Sequence, residues 1–139
     1  MVCGKQRLVE EEVGPVNNFL LIFLCILCFG CESSHTVISN DGKWRVSFDP
    51  APEDIPLNEM FEMRVWVNGN TKIKSVRVDA AMPAHGHGMM TESTTELQLD
   101  GSYLATGMLL HMPGDWELYF DISDSSSIER AQKSILLHP

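Results

Sequence analysis

Trp116-Glu117-Leu118-Tyr119-Phe120-Asp121-Ile122 puts a large apolar side chain at every second position. Successive side chains of a strand leave on opposite faces, so the stretch reads as a β-strand with one face in a core. Upstream, Pro113-Gly114-Asp115 makes a turn, and Tyr103 to Met112 reads as the strand before it. Asp100-Gly101 is a hairpin signal that joins that strand to the short run carrying Leu97 and Leu99. Downstream, the serine-rich turn Asp124 to Ser127 precedes a last strand near Lys133 to Leu137, and Ser127 to Gln132 has the length of one helical turn at most.

The same period of two recurs toward the N-terminus. Phe61, Met63, Val65 and Val67 alternate with Glu62, Arg64 and Trp66 before the turn Asn68-Gly69-Asn70. Ile73, Val76, Val78 and Ala80 follow, so the two runs read as strands in hairpin order. Trp44, Val46 and Phe48 form the first strand, which Asp49-Pro50-Ala51-Pro52 ends. About seven short strands with frequent turn signals and no amphipathic helix predict an all-β fold, an immunoglobulin-like antiparallel β-sandwich. A jelly roll needs more strands.

The 139 residues have room for one such domain. Ahead of it, residues 19–30 are almost wholly apolar, short for a bilayer span but of signal-peptide length. Lys5 and Arg7 supply a weak positive start, although Glu10, Glu11 and Glu12 intervene. Gly30-Cys31 followed by Glu32-Ser33-Ser34 resembles a bacterial lipobox, with departures at Cys28 and Phe29. The expected plan is a signal or membrane-anchor helix over 1–31 with Cys31 lipidated, a flexible tether over 32–42, and the sandwich over 43–139. Such a protein is membrane-anchored and extracytoplasmic, on the periplasmic face.

All four cysteines, Cys3, Cys25, Cys28 and Cys31, precede the expected domain, which therefore has neither a disulfide nor a thiolate ligand. Nineteen acidic against ten basic residues give a net charge of -9. That balance argues against nucleic acid, whose phosphates require clustered positive charge.

Met82-Pro83-Ala84-His85-Gly86-His87-Gly88-Met89-Met90 carries two of the five histidines and three of the eight methionines. Imidazole and thioether are the donors that copper, above all Cu(I), takes in preference to oxygen. In an extended segment His85 and His87 leave on one side, and Gly86 and Gly88 allow Met89 or Met90 to swing back toward them. His111-Met112 is a second pair, of which only one member faces a shared site on an ideal strand. The candidate metal ligands are thus His85, His87, Met89, Met90, His111 and Met112, with copper as the ion. Zinc is the weaker choice, since its sites favour cysteines or an added carboxylate. Met82 and Met108 read as core fillers. No nucleophile motif accompanies the histidines, so the chain is not expected to be an enzyme.

Met82-Pro83-x-His85-Gly86-His87-Gly88, Gly101-x-Tyr103 and Gly114-x-Trp116, in this order, resemble the YtkA-like domain, a relative of FixH proteins, over roughly Trp44 to Leu137. The resemblance implies an immunoglobulin-like sandwich displayed outside the inner membrane, in the company of copper-handling and respiratory-oxidase proteins. Two functions follow. The first is a tethered module that binds or delivers copper, exchanging it with a copper-donor or copper-acceptor protein. The alternative is a structural or interaction module without metal, in which the glycine-rich loop is a corner of the sandwich and Trp66 is a docking anchor.

Overall fold

A computed structural model describes residues 35–139. The signal or anchor segment, Cys31 and residues 32–34 of the expected tether lie outside the described residues. Among the described residues nine strands form two antiparallel sheets. They are β1 (Thr36–Ile38), β2 (Trp44–Ala51), β3 (Met60–Gly69), β4 (Ser75–Met82), β5 (His87–Gly88), β6 (Thr94–Leu97), β7 (Tyr103–Leu109), β8 (Gly114–Ser123) and β9 (Ile128–Leu137). One sheet has the order β1-β2-β3-β7-β6 and the other β5-β4-β8-β9.

The alternation read from the sequence becomes the core. Trp44, Val46 and Phe48 of β2, with Phe61, Met63 and Val65 of β3, meet Val76, Val78, Ala80 and Met82 of β4 and Trp116, Leu118, Phe120 and Ile122 of β8. Phe48 and Phe120 touch across the two sheets with ring centres 4.9 Å apart. The fold is therefore all-β and sandwich-like, and Met82 and Met108 are buried core fillers as expected. Among the described residues no helix is long and apolar enough to cross a membrane.

Four expectations are corrected. The seven expected strands are nine, because β1 and the two-residue β5 are too short to show a period. Within the stretch expected to be a flexible tether, Thr36, Val37 and Ile38 pair with Ser47, Val46 and Arg45 of β2. The runs before and after Asn68-Gly69-Asn70 are not a hairpin: β3 pairs with β2 and β7, whereas β4 pairs with β5 and β8 in the other sheet. Residues 128–132 are strand, not a helical turn, paired with β8 from Ser123↔Ile128 onward.

Gly69, the last residue of β3, closes against the first residue of β2. It stands opposite Trp44, and a Cβ at this position would overlap the Trp44 ring and come within 3.0 Å of the Lys43 carbonyl. Gly69→Ala must push a fully buried indole, so we expect a loss of about 1–3 kcal/mol, the usual scale of overpacking. A urea midpoint equal to that of the wild type, at unchanged slope, would refute this.

Two further features matter below. At the end of the sandwich where β4 begins and β8 finishes, the buried carboxylate of Asp124 accepts hydrogen bonds from Lys43 Nζ, from Thr71 Oγ1 (3.0 Å), from Ser126 N (2.7 Å) and Oγ (2.8 Å), and from Ser127 N (3.0 Å). Along the edge of β4 turned away from β8, the Val78 N–H donates to Thr95 Oγ1 (3.2 Å) and the Val78 carbonyl accepts from Ser93 Oγ. The Ala80 N–H donates to Asp79 Oδ1 (2.8 Å), and the Ala80 carbonyl accepts from Met89 N (3.2 Å).

Candidate functional site

At the opposite end of the sandwich, β4 finishes at the buried Met82, and Pro83, with no N–H to donate, takes the chain out of the ladder. Pro83–His85 make a single 3₁₀ turn. Gly86 closes it at φ +71°, its N–H donating to the carbonyls of Met82 (3.0 Å) and Pro83 (3.2 Å). A side chain at 86 would meet nothing within 4 Å, so glycine is required there for its backbone alone. The chain returns as β5, with His87 opposite Met82 and Gly88 opposite Ala81. The His-Gly repeat is thus a tight hairpin, with His85 exposed at its tip and His87 half-buried on its flank.

His111 arrives from the other sheet. β7 ends at Leu109, Leu110 is buried, and His111 and Met112 form the link to β8. Trp116 pins that link, its Nε1 donating to the Met112 carbonyl at 2.9 Å. The outcome is a row of imidazoles. The His85 and His87 ring centres are 5.8 Å apart and those of His87 and His111 5.3 Å, while Trp116 lies edge-on to His87 at 6.1 Å and to His111 at 5.6 Å.

An ion bonded to two imidazoles at about 2 Å from each nitrogen holds their ring centres roughly 5–6 Å apart. The observed spacings fall in that range. The closed geometry is absent, however: among the described residues no group of three or more His, Cys, Asp or Glu side chains stands arranged to hold a metal ion. Neighbouring rings have the separation of a shared site, 5.8 Å for His85 and His87 and 5.3 Å for His87 and His111.

Two hydrogen-bonding details bear on their fitness as ligands. His87 Nδ1 lies 3.1 Å from the Gly88 carbonyl, which can only accept, so the contact selects the Nδ1–H tautomer, in which the neutral ring presents Nε2 as a donor. His111 Nδ1 is buried and has no hydrogen-bond partner, an uncommon state for a buried nitrogen and one that an ion would relieve.

The thioethers are less engaged. Met89 is half-buried against the core, and its sulfur faces the Leu109 N–H at 3.5 Å, not the imidazoles toward which the glycines would let it swing. Met90 is 79% exposed, and Met112 packs against the core. The compact part of the site is therefore His85, His87 and His111. Sequence reasoning did not foresee Trp116 as their neighbour, although Gly114-x-Trp116 held the signal, since a turn just ahead of a buried strand position brings that side chain under the loop. Trp66, the alternative docking anchor, is half-buried on the outward face opposite Ser47.

No family model, no curated protein and no solved structure matches this chain.

Proposed function

We propose that this protein is a membrane-tethered, extracytoplasmic copper-binding or copper-delivery module built on an immunoglobulin-like sandwich of the YtkA-like kind. The observation that carries this reading is the series of three imidazole rings, two from one hairpin and one from the opposite sheet, at separations of 5.8 and 5.3 Å. Supporting it are the unpartnered His111 Nδ1 and the His87 Nδ1 contact with the Gly88 carbonyl, which selects the tautomer whose neutral ring presents Nε2 as a donor. Copper is the ion proposed because imidazole is a donor it takes readily and the described residues have no cysteine, the ligand of most structural zinc sites. A site on loops, half open to solvent, suits transfer of an ion and not a reaction, and tethering through Cys31 would hold it at the membrane.

One observation favours the metal-free alternative. The Met82–Gly88 hairpin already satisfies its own backbone through Gly86 N–H and the β4–β5 pairing, so it is a complete structural corner without an ion.

Titration of the full-length protein with Cu(I) and Cu(II), beside a His85→Ala, His87→Ala double variant, decides between them. We expect the wild type to bind copper and the double variant to lose that binding. Equal stoichiometry and affinity in the two proteins would sink the proposal.

A further inference from the structure

β9 is the outermost strand of its sheet and pairs with β8 alone. Along an antiparallel edge strand the backbone groups face the neighbour and the free side in turn. The Asn40 N–H reaches the Arg130 carbonyl at 2.9 Å, which fixes Arg130 as a residue that faces the free side and closes that part of the margin. By the same alternation Gln132, Ser134 and Leu136 face the free side as well. Among the described residues nothing hydrogen-bonds to their outward N–H and carbonyl groups, in contrast with Val78 and Ala80 on the margin of β4. Beside this free stretch lies a groove of about 420 Å³ whose apolar floor is Phe48, Ile55, Ile135 and Leu137. It continues past Pro50 into a second hollow of about 320 Å³. Asp49, Glu53 and Asp54 stand exposed on the rim, and no lysine or arginine lines either hollow. Among the described residues none of these three carboxylates has an ion pair.

We infer that this margin docks an extended segment of a partner protein, which adds as a further strand beside Gln132 to Leu136 and carries large apolar side chains next to lysine or arginine. Free backbone groups supply the affinity in strand addition, and a groove beside them receives the side chains that leave one side of the added strand. Both parts are present here. The rim sets the charge of the occupant, because carboxylates with no base among them attract a basic segment and repel an acidic one. A second copy of this chain, at a net charge of -9, is a poor occupant for the same reason. The groove shares no residue with the imidazole row, and the inference does not rest on the copper reading.

The test uses the full-length protein and a short fluorescein-labelled peptide that alternates valine and lysine, beside a counterpart that alternates valine and glutamate, with binding read by anisotropy. The lysine peptide is expected to bind, and the glutamate peptide to bind about tenfold more weakly or not at all. Gln132→Pro removes one outward N–H, a change that an edge strand tolerates because the ladder to β8 is untouched, and is expected to weaken the lysine peptide by about tenfold or more. The double variant Glu53→Lys, Asp54→Lys alters exposed residues only and is expected to reverse the preference between the two peptides. Amide hydrogen exchange separates strand addition from mere charge attraction: Gln132, Ser134 and Leu136 are expected to exchange more slowly with the lysine peptide bound. Binding without that slowing, equal binding of the two peptides, or no binding at all would overturn the inference. A concentration-dependent dimer that protects the same three amides would also overturn it, since the edge would then belong to a second copy.

Discussion

Trp116→Ala is expected to lower the stability of the domain by about 3–5 kcal/mol, the range for truncating a buried indole in a core that collapses only partly. The residue is fully buried between the two sheets and carries a polar duty besides, its Nε1 supplying the Met112 carbonyl with a donor. Trp116→Phe separates the two contributions. It keeps most of the apolar area but leaves that carbonyl without its donor, a loss of about 1–3 kcal/mol. Small domains have only some 5–15 kcal/mol of stability in total, so the alanine variant takes a large share of it. Chemical denaturation of both variants provides the check. An alanine variant within about 1 kcal/mol of the wild type would show that the indole is not the packed wedge described here.

The second large effect belongs to Asp124. The Lys43 ammonium, followed by the backbone N–H groups of Ser126 and Ser127, holds its carboxyl well below the usual carboxylate range. The same contact raises Lys43 above its ordinary value. A depressed folded-state pKa means that the ionised form stabilises the native protein. The contribution is complete above the unfolded-state value of about 3.9 and is lost as the pH falls below it toward the folded-state value. Asp124→Asn removes the charge and leaves Lys43 with an uncompensated ammonium beside a buried amide, the costly way to break an ion pair. We therefore expect a stability deficit in Asp124→Asn that is constant from neutral pH to about pH 5 and shrinks below about pH 4. A deficit that does not change with pH would remove the charge from this explanation. Asp79→Asn is the control, since the exposed Arg77–Asp79 pair belongs to a class that often contributes nothing measurable. Asp124 stands at the end of β8, and the histidines cluster where β8 begins. Ten residues of strand rise about 33 Å, so the variant should leave the imidazole row untouched.

How far the sequence foretells this molecule depends on which physical signal each element carries. Trp116 to Ile122 was legible because four inward positions in strict alternation have one interpretation, and all four side chains are fully buried. The strand from Tyr103 was legible in place but not in phase. Phe61 opposes Met108 while Met63 opposes Ala105, so β7 takes three steps where β3 takes two, and Gly107 at φ +75° absorbs the extra residue as a bulge. Strict alternation from Tyr103 would turn His111 inward. The bulge instead turns Met108 and Leu110 inward and leaves His111 at the rim beside His87. A lone glycine inside an apolar run was the only trace of this. The partition of β3 and β4 into different sheets was not legible, because both sheets impose the same period and a turn signal does not say which one the chain joins next. The His-Gly hairpin was legible from its glycines and proline, whereas the sulfur of Met89 went to the Leu109 N–H, a partner that exists only once β7 lies alongside.

The treatment of the β4 margin has a colloidal consequence. β5 covers only Ala81 and Met82, which would leave the rest of that strand as a template onto which another chain could add. At Val78 and Ala80 both the N–H and the carbonyl are already taken, by the hydroxyls of Thr95 and Ser93, the carboxylate of Asp79 and the N–H of Met89. The segment that leads away from the histidine hairpin therefore doubles as a guard against edge-to-edge polymerisation. Crowded copies of the protein find that stretch of the sheet edge already closed to them.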